Sequence, residues 1–120
     1  MSNFDPPLRI SVILVTWNSA ATLARCLDCL AAQTRKDFEV VLVDNGSRDG
    51  SVAFVRAGYP WVKLVPLTDN TGFAEGSNVA CAHAAGDYLV TLNNDTWVDP
   101  GWLQALVTAA DSHSAVGMVG

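Results

Sequence analysis

The chain reads as an α/β protein, a doubly wound and mostly parallel sheet with helices on both faces. Two observations carry that reading. Short apolar runs such as Val12-Ile13-Leu14-Val15 do not alternate with polar residues, as befits central strands covered on both sides. Segments with apolar residues at helical spacing separate them, in the order β-α-β-α-β-α-β-α-β, without repeats, linkers or low-complexity tracts. Such alternation makes neighbouring strands parallel, joined by right-handed crossovers. The chain has 120 residues, half of them hydrophobic, so 1–120 is expected to form one domain with a real core.

Each element has its own local signal. The first strand is expected over Leu8 to Thr16, after Pro6-Pro7, and ends in Thr16-Trp17-Asn18. Asn18 or Ser19 is suited to cap a helix from Ala20 to Gln33, where Leu23, Leu27 and Leu30 recur at i, i+4 and i+7. Asp37 to Val43 is the second strand. Asp44 to Ser51 then forms a polar turn, dense in Gly and Asx, that is longer than a connection needs. A short helix over Val52 to Ala57 stops at Gly58 and Pro60. The third strand, Trp61 to Leu67, is interrupted by Pro66 and belongs near an edge. Thr68 to Gly72 is a second polar turn, followed by a helix from Phe73 to Ala85 closed by Gly86. The fourth strand, Tyr88 to Leu92, turns abruptly polar at Asn93-Asn94-Asp95. Asp99-Pro100, an N-cap and a first-turn proline, opens a helix to about Ser112, and Ala115 to Gly120 begins a fifth strand.

Composition excludes several classes. A formal net charge of −5 argues against nucleic acid as the main partner, and it requires local devices for any phosphate. The longest apolar runs are strand-sized, so no membrane span is expected. MSNFDPPLRI lacks the basic and apolar regions of a secretory signal, which points to the cytoplasm. Cys26, Cys29 and Cys81 make no disulfide framework. The Cys26-Cys29 spacing falls inside a helix, not at a helix start where the dipole would activate a thiol.

The polar segments after the strands collect at one edge, where open α/β sheets bind ligands. The turn Thr16-Trp17-Asn18 has no glycine, which excludes the Gly-x-Gly-x-x-Gly dinucleotide site, and no P-loop pattern occurs. Trp17 offers a flat face for stacking a base, against the alternative of a large core side chain. Asp44 is placed to accept hydrogen bonds from a nucleoside or to form a turn with Asn45-Gly46. Asp49 opens a ready helix start. Asp95, beside Asn93 and Asn94, can hold a hard cation such as Mg²⁺ if a ligand supplies further oxygens; the alternative is a polar β-turn.

Three segments in order carry a family resemblance: ISVILVTWNSAATLARCLDCLAAQ, FEVVLVDNGSRDGS and NTGFAEGSNVACAHAAGDYLVTLNNDTWVDPGWL. From Ile10 to Gly120 the chain resembles the N-terminal, donor-binding half of a family 2 glycosyltransferase with the Rossmann-like GT-A fold. NTGFAEGSN with LNNDT is similar to the rhamnosyltransferase-like branch. The resemblance implies binding of a nucleoside-diphosphate sugar with Mg²⁺ or Mn²⁺, for transfer to a saccharide or lipid-linked acceptor. Residue by residue, Trp17 would stack on or border the base, with Thr16 and Asn18 among the nucleotide-binding residues, and Asp44 would hydrogen-bond the base's edge. Asn94 would lie near the ribose, Asn93 would be among the nucleotide-binding residues, and Asp95 would bind the metal as the last member of a D-x-D-like motif. Asn70, Gly72 and Asn78 match a segment near the nucleotide. Asn93 stands where that motif has its first carboxylate, which implies either weaker metal binding or greater reliance on the diphosphate's own oxygens.

An inverting transfer needs a base for the acceptor hydroxyl. The resemblance puts that carboxylate beyond residue 120, so the chain reads as truncated. Asp99, Asp111, His83 and His113 are candidates only by default. A location in the cytoplasm, peripheral to the inner face of the membrane, suits a lipid-linked acceptor. Two other readings compete: a non-catalytic module that self-associates through an open sheet edge, and a phospho-acceptor domain, for which Asn18 fails to supply the acidic pair after the first strand.

Overall fold

A computed structural model describes residues 9–112. Its elements are β1 (Ile10–Thr16), α1 (Ala20–Ala31), β2 (Phe38–Asp44), α2 (Ser51–Gly58), β3 (Lys63–Pro66), α3 (Phe73–Ala82), β4 (Tyr88–Thr91) and α4 (Trp102–Ser112). The four strands form one parallel sheet in the order β3-β2-β1-β4. The expected fifth strand, Ala115 to Gly120, and His113 lie outside the described residues.

Sheet order explains the hydrophobic pattern. β1 and β2 are central and buried along nearly their whole length, whereas β3 and β4 are short and half-exposed. The proline-broken third strand is an edge, as expected, and its exposed Lys63 and Pro66 discourage pairing with another strand. Ile10, Val12, Leu14, Val40 and Leu42 line one face and pack with Leu23, Cys26, Leu27 and Leu30 of α1, Val55 of α2, and Leu103 and Val107 of α4. On the other face Ile13, Val41 and Val43 meet Ala80 of α3. Helices therefore cover both faces. Each fully buried leucine contributes roughly 1.5–3 kcal/mol of transfer free energy. α3 closes on β1 because Gly76 has no side chain: a Cβ there would stand 2.8 Å from Val15 Cγ1.

Two polar side chains, Gln33 buried and Glu39 partly buried, join the layers. Gln33, just past α1, donates from Nε2 to the Asp99 carbonyl at 2.7 Å and the Cys29 carbonyl at 3.2 Å. Its Oε1 accepts from the Leu103 N–H at 3.0 Å. This corrects the expected start of the last helix. α4 begins at Trp102 rather than Pro100, and a free first-turn N–H is satisfied by Gln33 from another element while Asp99 contributes its carbonyl. On β2, Glu39 accepts from the Ser11 hydroxyl at 2.6 Å and the Ala85 N–H at 2.7 Å, with Lys63 Nζ at 3.4 Å. Gly86 N–H donates to Ser11 Oγ at 2.9 Å, so the turn after α3 is held to the sheet. Burial pushes the Glu39 carboxyl up, but Ser11, Ala85 and Lys63 together outweigh it and leave it below its ordinary value.

Gln33→Leu should destabilise the chain by about 2–4 kcal/mol in urea unfolding, since it leaves the Leu103 N–H and the Asp99 carbonyl without their buried partner. Glu39, with a depressed folded pKa, contributes stability that is complete above its unfolded pKa of about 4.5 and fades as pH falls through the lower folded value. Unfolding midpoints taken between pH 3 and 7, on the order of that window, should fall less steeply with acid in Glu39→Gln than in the parent chain.

Candidate functional site

Because all four strands are parallel, their carboxyl ends share one edge, and the four polar loops rise from it. A cleft of about 310 Å³ opens there, lined by Trp17 and Asn18 after β1, Gly46 and Arg48 after β2, and Thr68, Asp69 and Asn70 after β3. Trp17 is 53% exposed, so its indole belongs to the cleft and not to the core.

The cleft's walls are held by short polar side chains. Asn18 takes a left-handed conformation, φ 48°, which Asn adopts more readily than other non-glycine residues. From it the Asn18 N–H donates to Ser47 Oγ and its Oδ1 accepts from the Arg48 N–H, both at 2.8 Å. Asp44 is buried and accepts from the Ser47 N–H through Oδ2 at 2.8 Å, while its Oδ1 has no partner. Thr16 is its register neighbour on β1, and the buried Thr16 Oγ1 is likewise unpaired. Native structures leave few buried polar atoms without partners, so two at adjoining strand ends single out the carboxyl ends of β1 and β2, next to the cleft lining but not part of it.

Neither expected cap of α1 acts as one. Ser19 occupies the N-cap without a side-chain cap bond, and its hydroxyl donates to the Trp17 carbonyl instead. Asp49 supplies the missing acceptor: Oδ2 takes the Ala20 N–H at 3.1 Å, and Oδ1 takes the Ser51 N–H and hydroxyl. One carboxylate thus caps α1 and α2 together, and the Ser51 hydrogen bond holds its pKa below the ordinary carboxylate value.

Asn45 is the site residue that sequence reading passed over. It is buried, donates from Nδ2 to the Gly72 carbonyl at 3.0 Å, and accepts through Oδ1 from the Thr71 N–H and hydroxyl. The Asp44-Asn45-Gly46 turn was a signal for it, but its partners lie 26 and 27 residues away. At Gly46, φ 79°, a Cβ would stand 2.9 Å from the Asp69 backbone, so only glycine lets the second and third loops touch.

Most of the remaining expected residues lie outside the cleft lining. Asn70 does line it, and its Oδ1 accepts from the Gly72 N–H at 2.9 Å. Gly72 is the N-cap of α3 with φ 89°, and Asn78 is exposed on that helix. Asn94 donates from Nδ2 to the Val15 carbonyl at 3.2 Å and to Ser19 Oγ at 3.3 Å, fastening the β4 turn beside the Trp17 turn. The Asn93 carbonyl receives the Cys26 thiol at 3.9 Å. Asp95 is exposed next to Asn94 and does not line the cleft. Among the described residues no group of three or more His, Cys, Asp or Glu could hold a metal. Any cation at Asp95 must therefore complete its shell from a ligand and water, as Mg²⁺-type ions commonly do.

Other titratable groups have structural tasks. Burial pushes the Cys26 thiol up to about 11, with Cys29 and Asp95 adding to the rise, which excludes a reactive thiolate. Asp111 accepts from Tyr88 at 2.7 Å and Arg9 at 2.9 Å, and His83 Nδ1 rests against the Val79 carbonyl at 2.9 Å.

With this geometry the family can be stated. Residues 11–120 match the family model described as glycosyl transferase family 2, and the chain belongs to that family. It is 31% identical, over 92% of its length and 40% of the relative's, to the N-acetylglucosaminyl-diphospho-decaprenol L-rhamnosyltransferase of Mycobacterium tuberculosis (strain CDC 1551 / Oshkosh). Among solved structures, TarS of S. aureus in complex with UDP-GlcNAc superposes with a TM-score of 0.81 at 28% identity, covering 89% of this chain and 32% of that one. The mannosyltransferase PcManGT from Pyrobaculum calidifontis, in complex with GDP-Man and Mn²⁺, gives 0.78 at 30% identity, covering 96% and 34%. The fold is GT-A, and the chain spans well under half of each of these proteins.

Asn45→Ala should cost about 1–3 kcal/mol, because it orphans the Thr71 and Gly72 backbone groups. Hydrogen exchange should quicken at the Thr71 amide before it does in β1 or β2; equal protection in both variants would mean that the loop is held by something else.

Proposed function

We propose that this chain is the donor-binding part of an inverting glycosyltransferase, a single domain that holds a nucleoside-diphosphate sugar with Mg²⁺ or Mn²⁺. The observation that carries the reading is the cleft at the carboxyl edge. There the exposed indole of Trp17 lines the wall, at the same edge as the paired strand ends Thr16 and Asp44, whose buried Oγ1 and Oδ1 have no partner. Trp17 stacks on the base, Asp44 accepts from its edge, and Asn18 shapes the wall between them. Asn70, Gly72 and Asn78 border the nucleotide from the α3 side, while Asn93 and Asn94 lie toward the ribose.

Asp95 is the protein ligand of the cation. Its single exposed carboxylate suits an ion whose other ligands are diphosphate oxygens and water. When bound, the cation stabilises the negative charge that develops on the departing diphosphate. UDP, UDP-GlcNAc and GDP-Man in related structures support the ligand class, and Mn²⁺ in one of them supports the metal. The acceptor is a saccharide or a lipid-linked saccharide, the second being the substrate type suggested by the name of the mycobacterial relative. Among the described residues no helix is long and apolar enough to cross a membrane. We place the domain in the cytoplasm, at the inner face of the membrane where a lipid-linked acceptor presents its head.

Calorimetry with nucleoside diphosphates should show tighter binding with Mn²⁺ than without, and Asp95→Ala should abolish that difference. Trp17→Ala should weaken binding by about 1–3 kcal/mol, roughly 5- to 150-fold, with or without metal. Equal affinity with and without Mn²⁺ in the parent chain would remove Asp95 from the site. A chain that dimerises and gains no thermal stability from any nucleotide would instead support self-association, for which Leu89, 51% exposed on the edge strand β4, is the apolar contact at hand.

A further inference from the structure

We propose that the outer surface of α1 and α2, with the Trp97 turn beside it, is a membrane-docking face that lies against anionic lipid headgroups. The inference deepens the placement at the inner face of the membrane and rests on that reading, but on no residue of the nucleotide cleft.

Helices α1, α2 and α4 pack on one face of the sheet, and α3 packs on the other. The apolar stripe of α1 (Leu23, Cys26, Leu27 and Leu30) turns inward. Ala21, Arg25, Asp28 and Ala32 therefore point outward, and all are exposed. Aromatic rings from two other elements meet this outward stripe. After α2, Tyr59 donates to Asp28 Oδ1 at 2.9 Å, and its ring stands 5.7 Å from Phe54 and 6.2 Å from Trp61. From the turn after β4, the Trp97 ring lies under the Arg25 guanidinium at 4.3 Å. Phe54, Trp61 and Trp97 are 38%, 45% and 48% exposed, although rings of that size normally bury most of their surface. Around them the exposed residues Ala53, Ala57, Gly58 and Pro60 add small apolar surface. Exposed apolar residues gathered in one patch mark an interaction surface.

Charge identifies the occupant. The chain as a whole has seven Lys and Arg against twelve Asp and Glu. Over residues 20–36 and 51–63, which hold α1, α2 and the turns after them, the balance reverses. The cations there are Arg25, Arg35, Lys36, Arg56 and Lys63, and the one acid is Asp28, already bound by Tyr59. Arg35 pairs with Asp37 and Lys63 with Glu39. No carboxylate among the described residues pairs with Arg25, Lys36 or Arg56; Lys36 Nζ rests on the Ala31 carbonyl at 3.0 Å, at the end of α1. The exposed acids Asp95 and Asp99 flank Trp97 in sequence, so the cationic part of the surface is its α1–α2 side. A bilayer satisfies rings and cations together. Indole and phenol rings favour the headgroup level, and each Lys or Arg near an anionic leaflet adds roughly fivefold in affinity. Docked this way, the chain holds Asp95, two residues before Trp97, close to the plane in which a lipid-linked acceptor presents its head.

The test is co-sedimentation of the whole chain with vesicles of phosphatidylcholine alone, and of phosphatidylcholine and phosphatidylglycerol in equal parts. The mixed vesicles should bind about tenfold more tightly, and added salt should erase that difference. Arg25→Gln with Arg56→Gln should remove most of the gain, on the order of tenfold, and leave binding to phosphatidylcholine where it was. Phe54→Ser with Trp61→Ser should weaken binding to both vesicles by about tenfold. Leu89→Ser is the control and should change nothing: Leu89 is exposed, and as the register partner of Ser11 it lies on the α3 side of the sheet. If the aromatic variant fails to fold, the arginine variant, altered only at exposed side chains, decides alone. The proposal is overturned if the parent chain binds neither vesicle, or if the arginine variant binds the mixed vesicles as the parent does. It is overturned equally if sizing shows a parent dimer that the aromatic variant splits, since a second copy then covers this surface. Calorimetry with UDP and GDP on the same variants should give the parent's affinities. Failure of the parent to bind any nucleotide would overturn the cleft reading and leave the vesicle result standing.

Discussion

The cleft depends on one device: short side-chain amides and carboxylates that satisfy the backbone of loops other than their own. Asn18 joins the first loop to the second, Asn45 joins the second to the third, Asp49 caps two helices at once, and Asn94 fastens the fourth turn to β1. Loops that contribute a ligand site have little apolar surface to hold them in place. Here each is pinned by hydrogen bonds reaching 26 to 79 residues along the chain, so the four mouths act as one rim. Gly46 completes the arrangement by letting two loops touch at backbone distance.

Polar satisfaction is close to complete around that rim, and its exceptions are informative. Thr16 Oγ1 and Asp44 Oδ1 are buried at paired positions of the two central strands, each without a partner. A buried acceptor left unmade costs roughly 1–3 kcal/mol, and a charged one more. That cost is tolerated where a ligand can relieve it, and it resembles the preorganisation that binding sites require. The left-handed Asn18 belongs to the same economy, since its conformation places its N–H and Oδ1 on the neighbouring loop.

The exposed carboxylate of Asp95 contrasts with the buried one of Asp44. Asp44 is arranged to make a few directed hydrogen bonds in a dry place. Asp95 stands in water, without competing partners among the described residues, where a hydrated cation can approach. The two carboxylates sit on the same edge, after strands separated by β1. Their different surroundings suit the two tasks we propose for them: accepting from a base in one case and holding an ion with its diphosphate in the other.

Strand and helix order was legible in the chain because apolar periodicity is local: the runs around Val12-Ile13 and Val40-Val41 need both faces covered wherever they sit. The carboxyl-edge crevice followed from the alternation of elements, and the exposed indole of Trp17 agrees with it. Caps and seams were not legible. Asp99 and Ser19 have ordinary capping positions, yet Gln33 and Asp49 do the work from other elements, because the orphan N–H groups choose whichever acceptor the packed helices bring near. Asn45 escaped notice for the same reason, its partners being fixed by how β2 meets the loop after β3. Sequence by itself determined which segments become strands and helices and which residue types gather after them. Tertiary structure alone decided which atoms are buried without partners and which loops share a wall, because both depend on distances between segments remote along the chain.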